Sequence, residues 1–199
     1  EVRARKFPVS SRTLRKEAQK QERRDSKLVG IIIRPEHADE ILDAFPRGPG
    51  ERLHALLSGD FIFCDLLTRL IDREGPPISA TISTLSLSGK NCEGLALVLK
   101  KKPFPLHLIV SDFFRTMNPL IFGTIQNLLD EPFETVRLSN GRTHAKVAIF
   151  DYGERCFVIE GSANLRSSNN LEQVFVVDDR EVYEFHKAWM EELAALPDK

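Results

Sequence analysis

Apolar and polar positions along the chain follow two periods, one helical and one extended. Residues 28–33 (LVGIII) are an unbroken apolar run and predict a strand buried on both faces. Behind Pro35, which suits a first helical turn, Ala38, Ile41, Leu42 and Phe45 recur at helical spacing. Residues 46–50 (PRGPG) are a loop, and residues 53–57 a short strand. Asp60 then reads as the N-cap of a helix to about Arg73 with Phe63, Leu66, Leu67, Leu70 and Ile71 as its stripe. Residues 78–85 are the next strand, and Asn91 the expected cap of a helix through Leu99, whose lysines 100–102 suit its C-terminal dipole. Residues 105–112 form a buried strand that carries His107 as a hydrogen-bonded core histidine, and residues 119–129 a helix. Residues 133–138 are a strand. The Asn140-Gly141 pair after it is a hairpin signal, so the strands on its two sides are expected to pair antiparallel. After a last strand at 173–177, Val182, Phe185, Trp189 and Leu193 form the expected inner stripe of a C-terminal helix, with Trp189 as core.

Strands alternating with helices, followed by a strand-rich segment and a final helix, predict an α/β fold with a mixed β-sheet flanked by helices on both faces. Sites in such sheets lie at the carboxyl ends of strands. Three strand ends carry small polar groups that suit the rim of a site: Ser58, Gly59 and Asp60; Ser83 and Thr84; Ser111 and Asp112.

Residues 143–173 concentrate the chemistry. His144 and Lys146 stand two apart on an expected strand and would share a face with Ala148 and Phe150. A lysine at the end of a covered strand calls for an anion, and a phosphate fits. After the next strand Gly161 precedes Ser162 and Asn164, which supply hydroxyl and amide donors for an oxyanion. Glu172 opens another apolar run, where its carboxylate would take a hydrogen bond from one nitrogen of His144 and leave the other free to attack. That set suggests nucleophilic attack by histidine on phosphorus, with Lys146 and Asn164 holding phosphate oxygens. Arg166 is placed to bind a flanking phosphate.

The order His144-Ala145-Lys146, four residues, Asp151, then Gly161-Ser162-Ala163-Asn164 resembles the signature of the phospholipase D superfamily. The likeness spans about thirty residues, and nine separate Asp151 from Gly161, more than the usual pattern, so Tyr152, Gly153, Glu154 and Arg155 are expected to form an extended turn. The resemblance implies catalysis by two such motifs. One histidine forms a phosphohistidine, the other protonates the leaving group, and no metal or cofactor is needed. Asp151 and Gly161 would be structural parts of the motif. The chain has five histidines and only His144 lies in H-x-K, so the second motif is expected from a second copy. A homodimeric nuclease with one composite site is the leading expectation. The alternatives are a phospholipase acting on lipid headgroups, and a nucleic-acid-binding module that keeps the fold without turnover. The sequence offers no lipid-facing apolar segment to favour the former.

Composition sharpens the partner class. Within a net charge of −1, residues 1–25 hold nine Lys/Arg against four acids, so +5 in this arm stands against −6 in the rest. Such an arm suggests a polyanion, nucleic acid first. Residues 1–26 are therefore expected as a basic tail and residues 27–199 as the phosphodiesterase domain. No apolar run approaches the ~18 residues of a membrane span, and no signal peptide is visible, so a cytoplasmic location is expected. Cys64, Cys92 and Cys156 show no metal-ligand spacing and read as reduced core residues.

Overall fold

The computed structural model describes residues 27–33 (as backbone), 38–57, 63–165 and 170–195. The basic arm at 1–26, the strand end at 58–60 with its Asp60 cap, and Arg166 lie outside the described residues.

Eight strands form one mixed sheet in the order β1-β2-β8-β7-β6-β3-β4-β5. They are β1 (Lys27–Ile33), β2 (Glu51–Leu57), β3 (Ser79–Thr84), β4 (Leu106–Ser111), β5 (Val136–Gly141), β6 (Val147–Asp151), β7 (Cys156–Gly161) and β8 (Glu172–Asp178). The described helices are α1 (Ala38–Asp43), α2 (Phe63–Glu74), α3 (Gly89–Lys101), α4 (Asp112–Met117), α5 (Pro119–Ile125), which a π-helical turn continues over Gln126–Asp130, and α6 (Arg180–Ala194). The pairs β1–β2, β3–β4 and β4–β5 are parallel, whereas β6 to β8 run antiparallel to their neighbours.

Strand alternation divides the apolar residues between two cores. Ala148 and Phe150 of β6, with Phe157 and Ile159 of β7, join the larger core under α1, α2, α3 and α5. Val147, Ile149 and Val158 face the smaller core, closed by Tyr183 and Met190 of α6. Phe157 is the hub of the first. Phe45 and Tyr152 meet its ring edge-on at 5.4 and 5.9 Å, and the Arg155 guanidinium lies 4.5 Å from its centroid. Burying such a ring stabilises by about 2–3 kcal/mol.

Three local expectations are corrected. The Asn140-Gly141 pair makes no hairpin, because β5 pairs with β4 and β6 with β3. Asn140 instead donates to Asp112 Oδ1 at 2.6 Å and accepts from Arg115 at 3.2 Å. The cap of α3 is Ser88, whose Oγ accepts the Asn91 N–H at 3.3 Å, while buried Asn91 reaches Leu165 O at 2.8 Å. The stripe of α6 is shifted: Tyr183, His186 and Met190 are buried and Phe185 is 66% exposed. His186 takes the buried position with hydrogen-bond partners on both ring nitrogens.

His107 bonds Ser139 Oγ at 2.9 Å, and burial, aided by Arg137, holds its pKa down to about 4. An unfolded histidine titrates near 6.5. Between these values the unfolded chain binds the extra proton, so stability falls as pH drops from about 6.5 to 4. His107→Gln should flatten that part of a pH–denaturation profile. An unchanged slope would show that other groups set it.

Candidate active site

Carboxyl ends of β3, β4, β5 and β7 and starts of β6 and β8 share one edge of the sheet. Because β5 is the edge strand and β6 lies beyond β4 and β3, residues 142–146 must cross the ends of those two strands. His144 and Lys146 sit in this crossover, outside β6, which starts at Val147. The crossover is pinned from below. Buried Ser83 donates to Ala145 O at 3.1 Å and lies 3.5 Å from Thr143 Oγ1, which accepts the Ala145 N–H at 3.0 Å. These bonds bracket His144 and leave its side chain exposed.

The Gly161-Ser162-Ala163-Asn164 loop is held at both ends. Gly161 N–H donates to Lys146 O at 3.0 Å and Ser162 N–H to Gln173 O at 3.1 Å. Leu165 donates to Thr84 Oγ1 at 3.3 Å, and its carbonyl takes Ser88 N–H and the Asn91 amide. A Cβ on Gly161 would lie 2.7 Å from Gln173 O, so the close approach of β7 to β8 requires glycine.

A cleft of about 550 Å³ opens here, lined by His144, Lys146, Gly161, Ser162, Glu160 and Trp189 among others. A second hollow of about 450 Å³, lined by Ser111, Asp112, Phe113, Arg142 and Thr143, also has His144 in its wall. The expected bond from His144 to Glu172 is not among those of the described residues. Glu172 accepts the Ser162 hydroxyl, whose oxygen also takes Gln173 N–H at 3.0 Å. Lys146 Nζ donates to His144 O at 2.8 Å. Asn164 has its Oδ1 buried without a protein partner. Asp151 stands at the other end of β6, where it accepts Gly153 N–H at 2.8 Å and pairs with Arg180 at 3.3 Å. Burial would raise its pKa, but these two bonds outweigh it and the carboxyl titrates below its usual range. The long spacing after Asp151 is taken up by a turn closed by Tyr152 N–H to Arg155 O at 2.9 Å, with Gly153 at φ 85°.

The α6 wall of the cleft had not been legible. His186, nearly buried, lies 2.8 Å from Glu160 Oε1 through Nε2, and Trp189 Nε1–H donates to its Nδ1 at 3.0 Å. The Nδ1 atom is thus an acceptor and Nε2 carries the proton to Glu160. That bond holds the Glu160 carboxyl below its ordinary range. One signal was present: Glu160 is the polar end of an otherwise apolar strand, on the face that meets α6. No thiol competes as nucleophile, since burial pushes Cys64 and Cys92 up to about 12 and Cys156 to about 11. Among the described residues no group of three or more His, Cys, Asp or Glu converges as for a metal ion.

Beside the second hollow, α4 and α5 expose Phe113 (62%), Met117 (62%), Leu120 (88%) and Ile121 (38%). These side chains stand on two helices of six and seven residues, too short to show an apolar stripe in the sequence. Among the described residues no helix is long and apolar enough to cross a membrane.

No family model and no curated protein matches the chain. Solved structures do. NucT from Helicobacter pylori is 20% identical, with 72% of this chain and 96% of that one covered at a TM-score of 0.50. Nuc from Salmonella typhimurium, a phospholipase D family member, is 18% identical over 63% of this chain and 83% of that one, at 0.49. The polyphosphate kinase of Porphyromonas gingivalis is 12% identical over 74% and 26%, at 0.50. The chain has the phospholipase D-like fold, a mixed α/β sheet whose strand ends carry His144, Lys146, Gly161 and Ser162.

Proposed function

We propose that the chain is a metal-independent phosphodiesterase, a nuclease that works as a homodimer with one composite site. The observation that carries this is the convergence of His144, Lys146, Gly161 and Ser162 on one cleft at the strand ends. A nitrogen of His144 attacks phosphorus: a P–N bond forms and the P–O bond to the leaving group breaks. The partner's His144 gives its proton to the leaving oxygen. It then takes a proton from water, whose oxygen attacks the phosphohistidine and breaks the P–N bond. Lys146 and Asn164 hold the phosphate oxygens, Glu172 orients Ser162, and Arg166 meets a flanking phosphate. A second copy is needed because the other histidine of the cleft, His186, has both ring nitrogens engaged. The basic arm favours nucleic acid as the polyanion.

A second reading, hydrolysis of lipid headgroups, is favoured by Phe113, an exposed apolar side chain that lines the hollow shared with His144, since exposed apolar surface suits an interface. Labelled single- and double-stranded DNA and RNA, and phospholipid vesicles, should be incubated with the protein in EDTA. Cleavage of nucleic acid is expected. Loss of cleavage in EDTA with rescue by a divalent metal would overturn the mechanism. Headgroup release without nucleic-acid cleavage would establish the second reading.

A further inference from the structure

The cleft has two unlike walls. His144, Lys146 and Ser162 form one, rich in donors suited to phosphate. Glu160, His186 and Trp189 form the other, on the α6 side. Glu160 has a side chain 41% exposed, and among the described residues its side-chain partner is the Nε2–H of His186. A carboxylate facing the cleft repels phosphate, so this wall serves a different part of the substrate. What a carboxylate accepts is a hydrogen-bond donor, and on a nucleic acid the N–H donors are neutral groups of the bases. Glu160 Oε1 is engaged by His186, which leaves Oε2 for such a donor.

The wall is also fixed in place. The bond from Trp189 Nε1 to His186 Nδ1 sets the orientation of the indole, and that from His186 Nε2 to Glu160 sets the carboxylate. Trp189 is half-buried, packs against the smaller core and lines the cleft. An aromatic ring held by its own hydrogen bond is a stacking surface that needs no rearrangement on binding.

We propose that Trp189 and Glu160 form a subsite for an unstacked nucleobase next to the scissile phosphate: the base lies against the indole, and an exocyclic amino group donates to Glu160. This rests on the nuclease reading and deepens it. The substrate class is single-stranded nucleic acid, because a base within a duplex presents neither its face nor its pairing edge. Bases with an amino group on that edge are preferred over thymine and uracil, whose carbonyl oxygens meet the carboxylate unfavourably.

Trp189 is the chain's single tryptophan, so its emission reports on this wall alone. The full chain with His144→Ala, which binds without turnover, is titrated with short oligo-dC and oligo-dT carrying a terminal label. Saturable quenching of Trp189 is expected for both. Oligo-dC should bind roughly tenfold more tightly, the scale of one hydrogen bond to a charged acceptor. Glu160→Gln should remove that preference while quenching persists. Binding by label anisotropy with unchanged Trp189 emission would overturn the inference and leave the nuclease reading standing. So would equal binding of the two strands. No binding of either strand, together with no cleavage by the wild-type chain, would overturn both.

Discussion

Replacing His144 with alanine is expected to lower turnover by about 10⁴-fold or more, since removing a nucleophile forfeits the whole covalent route. The loss should come with little change in thermal stability. The imidazole is exposed, and the bonds that pin the crossover run through Ser83, Thr143 and Ala145 instead. A phosphodiester assay beside a melting curve separates the two effects. Full activity in this variant would remove histidine catalysis from consideration, and a large fall in melting temperature would mean that His144 supports the fold.

The second large effect is expected at Gly161. A methyl group there meets Gln173 O at 2.7 Å, a backbone atom of β8 that cannot rotate away. Gly161→Ala must therefore part β7 from β8 at the point where Gly161 bonds Lys146 and Ser162 bonds Gln173. Overpacking of this kind costs about 1–3 kcal/mol. Turnover should fall by about 10²-fold, because a shift near 1 Å in a positioned group has that scale of effect. Gly153→Ala is the control. It strains a positive φ at the other end of β6 and β7 and should lower stability without touching turnover. Equal turnover for wild type and Gly161→Ala would show that the loop tolerates the shift and that its alignment is not limiting.

Much of the fold was readable because it was written in single residues and short periods. The alternation of Ala148 and Phe150 with Val147 and Ile149 states that β6 is covered on both sides, and the two cores divide those residues accordingly. The stripe Phe63, Leu66, Leu67, Leu70, Ile71 is the buried face of α2. Pairing was not local in this sense. Asn140-Gly141 has the chemistry of a two-residue turn, yet β5 pairs in parallel with β4, about thirty residues earlier in the chain, and Gly141 lies opposite Ser111. Within the sequence motif, His144, Lys146, Gly161 and Ser162 come to one cleft, whereas Asp151 stands at the other end of β6. The other wall of the cleft was not legible, because Glu160 and His186 meet across 26 residues and the apolar weight of Phe185 shifts the apparent phase of α6 away from His186. The expected link between Glu172 and His144 overlooked a nearer partner, the Ser162 hydroxyl.

The composite site is tested most directly by subunit mixing. Wild-type chains and His144→Ala chains are unfolded together, refolded at varied ratios and assayed at constant total protein. If each active site draws one histidine from each of two copies, activity falls as the square of the wild-type fraction, to about a quarter at equal mixing. A linear fall, to half at that point, would contradict the shared site and place the complete chemistry within one chain.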